Sequence, residues 1–347
     1  MAYRIRAVLI CIAVAAAFVP LPEPWVERMY SHGVYLSFQP HVTALSNRVP
    51  IALLDVALTG LIAIFGIGIV RDWRSRGARG AIWRFLGRLV TAGAVVYLLF
   101  LATWGLNYRR VPLTEKLAFD PARITEDGAR RLATVAIERL NAGYAAVHST
   151  DFRPDVLEAS FGETQIALGA RRLATTGRPK ASIVGVYFRY AAVDGMTVPV
   201  FLEVILNPDI LPIERPSVLA HEWAHLAGYA DESEANFIAW VAGARSADPV
   251  ARYSAWLDAY RLAAGALPRT ARASLPPLGE GPRQDLRAIA ARYARSSPAV
   301  RIAAREVYDS YLKANRVEAG IESYGLALRL MLGSAFAEAT TIQNPPR

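Results

Sequence analysis

The sequence predicts an α-helical membrane protein, with three N-terminal transmembrane helices followed by a mostly helical α+β domain outside the membrane. Three observations predict this class. Apolar residues make up 53% of the 347-residue chain and mean hydropathy is +0.23, both high for a wholly soluble protein. That surplus is gathered into three segments that end by Tyr108. Beyond them the chain turns to helical periods of mixed polarity, with one stretch of branched and aromatic residues.

The apolar segments come first. Ala7 to Pro22, AVLICIAVAAAFVPLP, carries no charge and follows Arg4 and Arg6. Val49 to Val70 carries only Asp55, and Leu89 to Tyr108 carries no acidic or basic residue before its end. A membrane helix needs about 20 apolar residues, which the second and third segments satisfy. The first is short, and basic residues before a brief apolar run also describe a cleavable signal sequence; it is read as an uncleaved span. The spans are placed at residues 5–22, 49–70 and 88–107 of a membrane domain covering residues 1–108. Between the second and third lies RDWRSRGARGAIWRFLGR, Arg71 to Arg88, with six arginines and one acid. Such loops stay in the cytoplasm, so residues 109–347 are expected on the extracytoplasmic side of the cytoplasmic membrane, as a multi-pass protein in contact with the lipid bilayer.

The arginine loop also accounts for much of the net charge of +9, which leaves little support for nucleic-acid binding. No glycine-rich phosphate loop occurs. The single cysteine, Cys11, lies in the first apolar segment, so disulfides and thiolate metal ligands are excluded. Asp55, close to the outer end of its span, is read as facing water or a neighbouring helix.

Thr125 to His148 has helical apolar spacing behind a capping residue. Ala181 to Pro208 holds two branched and aromatic runs around Val193-Asp194-Gly195, which predicts a β-hairpin or two adjacent strands. The remainder is helical by period, with a proline-rich break at SLPPLGEGPRQ.

The chemistry is concentrated in VLAHEWAHLAGYADESEANFIAW, Val218 to Trp240. Pro216 suits the first turn of a helix and Gly228 its left-handed end. Between them His221 and His225 stand at i and i+4 on one face, where both imidazoles can bind one Zn²⁺. Glu222, about 100° round the helix, suits a general base for metal-activated water better than a ligand. HExxH arises by chance in on the order of one chain in a hundred, so a structural helix with two incidental histidines is the plain alternative. The acids downstream weigh against it, because a zinc site of this kind needs a third protein ligand. Asp231 matches an N-cap and Glu234 its reciprocal partner, which leaves Glu232 to face the metal with Asn236 one turn behind. Glu234 is the runner-up ligand and Asp231 the third choice.

Several blocks resemble the bacterial membrane family catalogued as domain of unknown function 3810, almost end to end: WGLNYRRVPL, GMTVPVFLEVILNP, HEWAHLAGYADESEANFIAW, RYSAWLDAY and VYDSYLKANRVEAGIESYGLALRL. The central block is also similar to the glutamate-ligand zinc peptidases, among them the membrane-embedded prenyl-protein proteases and ImmA-like peptidases. That resemblance implies a zincin-like fold for residues 109–347, with the ligand glutamate at Glu232 and the later Asp or Asn at Asn236. The spacing departs from those families, since Glu232 follows His225 by only seven residues. A membrane-anchored zinc metallopeptidase acting on peptide or protein substrates is the expectation, with His221, His225 and Glu232 on Zn²⁺ and Glu222 as base. Val198 to Asn207 is the strand expected beside the substrate, and Tyr253 and Tyr324 are candidate oxyanion stabilisers. A catalytically inactive zinc-binding scaffold or envelope-assembly protein is the alternative, and a transport component is a weaker one.

Overall fold

The computed structural model describes residues 2–317 and 326–334. The chain is mostly helical, with one three-stranded sheet. Helix α1 (Ala2–Phe18) is followed by α2 (Glu23–Trp25), a π-helical stretch (Val26–Tyr35) and α3 (Leu36–Arg48), and the axis bends by 112° after α1. Helix α4 (Leu53–Thr103) has 51 residues and would be about 76 Å long if straight. It is not straight. Gly77 adopts φ 70° and ψ 178°, a conformation open to glycine alone at little cost. The rings of Phe65 and Phe85 lie 5.7 Å apart, and Arg88 reaches Asp72 at 2.6 Å. Along a straight helix those two rings would be about 30 Å apart. The chain therefore reverses at Gly77, and α4 is a hairpin of two arms.

The expectation of three separate transmembrane helices is corrected by this arrangement. By length and composition one element, α4, is apolar enough to cross a membrane, and α1 with Glu23–Arg48 makes a second only if the bent pair counts as one span. The physical reasons are local. Helix α1 has only 17 residues, and the arginine-rich segment is helical on both sides of Gly77, which joins residues 49–70 and 88–107 into one element.

The rest of the chain runs α5 (Leu113–Lys116), α6 (Glu126–Val147), α7 (Pro154–Ala167), β1 (Pro179–Lys180), α8 (Gly185–Ala191), β2 (Gly195–Val198) and β3 (Glu203–Leu206). It continues through α9 (Arg215–Leu226), α10 (Glu232–Arg245), α11 (Pro249–Ala266), α12 (Arg269–Ala273), α13 (Glu280–Ala294), α14 (Pro298–Ala314) and α15 (Ala327–Gly333). Thr125 caps α6 as expected, accepting from the Gly128 N–H at 3.0 Å. The first of the two expected strands is instead helix α8. Its buried residues Gly185, Phe188 and Ala191 recur every third position, a helical period that outweighs its branched and aromatic composition. The hairpin is β2 with β3, and β3 lies at the centre in the order β1-β3-β2. β3 therefore has no free edge. β2 does, since among the described residues it pairs with β3 alone, which moves the substrate-strand expectation from Val198–Asn207 to Gly195–Val198.

Packing is continuous across the 108/109 boundary drawn from composition. Val26, Tyr30, Tyr35, Leu36 and Trp104 share one core with Leu219, Trp223 and Leu226 of α9 and with Phe237, Ile238 and Trp240 of α10. Both ends of the α4 hairpin are pinned to the same domain. At its start the Leu53 and Leu54 N–H groups donate to the Glu203 carboxylate, each at 2.9 Å, and Lys180 joins that carboxylate at 2.8 Å. Glu203 thus caps the helix in trans, inside a buried ion pair. Asp55, in the first turn, accepts from Ser182 Oγ at 2.5 Å and the Ile183 N–H at 3.0 Å, so it serves as a docking group.

Candidate metal centre

Helix α9 carries Pro216 in its first turn and ends at Gly228, whose φ of +83° closes the helix with a left-handed residue. Its terminal carbonyls, which no helical N–H can reach, are taken by residues next to the apolar helices. Trp104 Nε1 donates to His225 O at 2.8 Å, Tyr35 Oη to Leu226 O at 2.7 Å, and Arg110 to Gly228 O at 2.8 Å. The tight turn then leads into α10. Asp231 caps it, accepting from the Ser233 N–H at 2.8 Å and the Glu234 N–H at 3.2 Å, as the sequence predicts.

That turn returns Glu232 to the two histidines. The ligand-capable atoms of His221, His225 and Glu232 all lie within 4.8 Å of one another, a group that could hold a metal ion. His221 Nε2 and His225 Nε2 are 3.0 Å apart, and Glu232 Oε2 lies 3.2 Å from the first and 3.6 Å from the second. The other ring nitrogens face acceptors. His221 Nδ1 lies 2.9 Å from Asn236 Oδ1, and His225 Nδ1 lies 2.8 Å from the Tyr229 carbonyl. These acceptors place each ring proton on Nδ1 and leave both Nε2 lone pairs pointing inward. With neutral rings neither Nε2 can donate to Glu232 Oε2, which is buried and has no hydrogen-bond partner. Three electron-rich atoms then face one another, an arrangement that calls for a positive charge between them. Where no ion is bound a proton meets that need: burial disfavours a cationic His225, but the Glu232 carboxylate outweighs it and pushes the imidazole up to about 9, so a bound ion would displace this proton and leave the rings neutral. Burial would likewise raise the Glu232 carboxyl, yet His225 and His221 hold it well below the usual range.

Glu222 is buried, and burial raises its carboxyl above the ordinary value although the neighbouring imidazoles oppose this. Its Oε2 accepts from Thr197 Oγ1 of β2 at 2.8 Å, and the same hydroxyl contacts the Glu222 carbonyl oxygen at 2.9 Å. Gly195 on the same strand leaves room for it, because a Cβ there would lie 2.7 Å from Glu222 Oε1. The base candidate is thus packed against the free-edged strand.

Other sequence candidates lie elsewhere. Glu234 does not close a capping box with Asp231; its carboxylate accepts from the Leu113 N–H at 2.5 Å. Burial pushes it up to about 7, against the pull of that N–H and of Arg110. Tyr253 donates to Asp285 at 2.5 Å, between α11 and α13, and contacts none of the three ligand candidates. Tyr324 lies outside the described residues. Two residues beside the cluster escaped the sequence analysis. Trp104 stacks edge-on against His225 with ring centroids 6.0 Å apart, and Tyr308 of α14 donates to Glu232 Oε1. Both fall in family-like blocks, WGLNYRRVPL and VYDSYLKANRVEAGIESYGLALRL, which were the signal available for finding them.

The family model described as protein of unknown function, DUF3810, matches residues 30–332, which takes in the π-helical stretch from Tyr30 on, the hairpin, the sheet and every element of the cluster. The chain belongs to the DUF3810 family. No curated protein and no solved structure matches it. Membership of DUF3810 brings no activity with it.

Proposed function

We propose that this DUF3810 protein is a membrane-anchored, zinc-dependent peptidase working at the outer face of the cytoplasmic membrane. One observation carries the metal: two imidazole lone pairs and an unsatisfied carboxylate oxygen converge, with edges of 3.0, 3.2 and 3.6 Å. Donors about 2.0–2.2 Å from a tetrahedral zinc are separated by roughly 3.3–3.6 Å, close to this triangle, and three protein ligands leave a fourth position open. Nitrogen and oxygen donors with no thiolate also suit zinc. When bound, the ion supplies Lewis-acid activation of water and of a peptide carbonyl.

The chain's own groups supply the rest. Glu222 takes the proton of the attacking water and later delivers it to the leaving amine. Thr197 orients that carboxylate through its hydroxyl. The free edge of β2 offers backbone groups to an extended peptide, which would join the sheet as a further strand beside Glu222.

The membrane reading rests on the hairpin. Each arm of α4 is about 36–39 Å long, enough for a hydrocarbon core of about 30 Å, and its most apolar stretch is uncovered by the rest of the chain. Both arm ends meet the domain while the six arginines gather at the Gly77 end. Arginine-rich turns stay inside, so the domain lies outside. Trp104, the residue that follows the second arm, touches His225, so a substrate must come close to the membrane surface. A phosphatase reporter fused after Arg347 is expected to be active and one fused near Gly80 inactive. The reverse pattern puts the cluster in the cytoplasm and removes envelope substrates from the proposal.

Complementation of a deletion strain tests the enzyme reading against a structural zinc site. Both Glu222→Gln and His221→Ala are expected to fail. Full complementation by Glu222→Gln with failure of His221→Ala would assign the protein a scaffold role.

A further inference from the structure

Helix α14 reaches the metal cluster through Tyr308, and it has little core of its own. Only Leu312 among its residues is buried. It packs against α8, with the Ser297 N–H on the Tyr190 carbonyl at 3.0 Å, and just beyond the helix Arg316 reaches the Val19 carbonyl at 3.2 Å. Tyr311 sits 6.1 Å from the ring of Phe100, near the outer end of the second α4 arm, and 6.1 Å from that of Tyr108. One turn earlier Tyr308 stacks on Tyr311 at 5.8 Å, with the planes 22° apart, and its hydroxyl donates to Glu232 Oε1.

The two oxygens of Glu232 are thus divided between two tasks. Oε1 is occupied by Tyr308, while Oε2 faces the two Nε2 atoms with no hydrogen-bond partner. A carboxylate free to rotate could offer the ion either oxygen, or both at once. A donor fixed on Oε1 leaves Oε2 alone to complete the triangle. His221 is served in the same way by Asn236, and His225 by the Tyr229 carbonyl, so each of the three ligand candidates has a dedicated partner on its far atom.

On these grounds, and resting on the metal reading above, we propose that Tyr308 is a positioning residue that holds Glu232 as a single-oxygen ligand. Helix α14 is then the strap that carries this hydroxyl from its anchorage beside the second α4 arm to the metal centre. Partners behind metal ligands are worth roughly 10–100-fold in metal affinity. A phenylalanine at 308 keeps the stack on Tyr311 and removes only the hydroxyl.

The test uses full-length protein stripped by a chelator and titrated with Zn²⁺ against a chromophoric competitor. Tyr308→Phe is expected to bind zinc about 10–100-fold more weakly than wild type while its metal-free form melts as wild type does. Tyr311→Phe, on the same helix and in the same stack, removes a hydroxyl that bonds Tyr108 rather than a ligand candidate, and is expected to stay within about twofold of wild-type affinity on the same grounds. Wild-type affinity in Tyr308→Phe overturns the assignment while leaving the metal reading intact. An equal loss in Tyr311→Phe overturns it too, because the effect would then come from the packing of α14. A wild-type protein that takes up no zinc removes both readings together.

Discussion

Replacing Glu222 by Gln is expected to lower peptide turnover by roughly two to four orders of magnitude, the usual share of general-base catalysis. The amide is nearly isosteric, and its carbonyl oxygen can still accept the Thr197 hydroxyl that now bonds Glu222 at 2.8 Å. It therefore fits the space that Gly195 leaves for the native side chain. What it loses is the ability to take a proton at neutral pH. Glu222 is not one of the three converging ligand candidates, so metal content and melting temperature should stay at wild-type values. Steady-state hydrolysis and metal analysis on the same preparation check both halves. Turnover unchanged in Glu222→Gln would remove Glu222 from the chemistry.

Deleting residues 1–111 is expected to abolish cooperative folding of the remainder. The cut removes Val26, Tyr30, Tyr35, Leu36 and Trp104 from the core that encloses α9 and α10. At about 1.5–3 kcal/mol for each large buried apolar side chain, the loss is on the order of 10 kcal/mol. That is comparable with the whole stability of a typical domain, about 5–15 kcal/mol. The cut also removes the Tyr35, Trp104 and Arg110 donors from carbonyls at and just beyond the end of α9, and it leaves Glu203 without the Leu53 and Leu54 N–H groups. Calorimetry of fragment 112–347 should show no sharp transition. A cooperative melt close to that of the full chain would show that the apolar helices are dispensable for the domain.

The site was legible in the sequence where its geometry is local. His221 and His225 are one helical turn apart, Gly228 ends their helix, and Asp231 begins the next, so the return of Glu232 to the histidines follows from a short turn. Asn236 follows by the same periodicity. Contacts from distant segments were not legible. Tyr308 reaches Glu232 across 76 residues, and Trp104 reaches His225 across 121, with no periodic pattern to announce either. Glu234 has the spacing of a capping partner, but the Leu113 N–H draws it away. Helix α8 reads as a strand in the sequence because its composition favours one, while its burial recurs every three residues. The α4 hairpin was hidden for a related reason. Arginine-rich residues 71–88 look like a loop by charge, yet they continue both arms as helix and leave the reversal to Gly77.

The central claim is that His221, His225 and Glu232 hold a catalytic zinc, and elemental analysis of purified full-length protein tests it most directly. About one zinc per chain is expected for three protein ligands and an open fourth position. His221→Ala, His225→Ala and Glu232→Ala should each lose it, whereas Glu234→Ala, which removes a carboxylate turned toward Leu113, should keep it. A folded wild-type protein that takes up no zinc even when the ion is supplied would contradict the account, and zinc kept in Glu232→Ala but lost in Glu234→Ala would show that the wrong carboxylate had been placed on the metal.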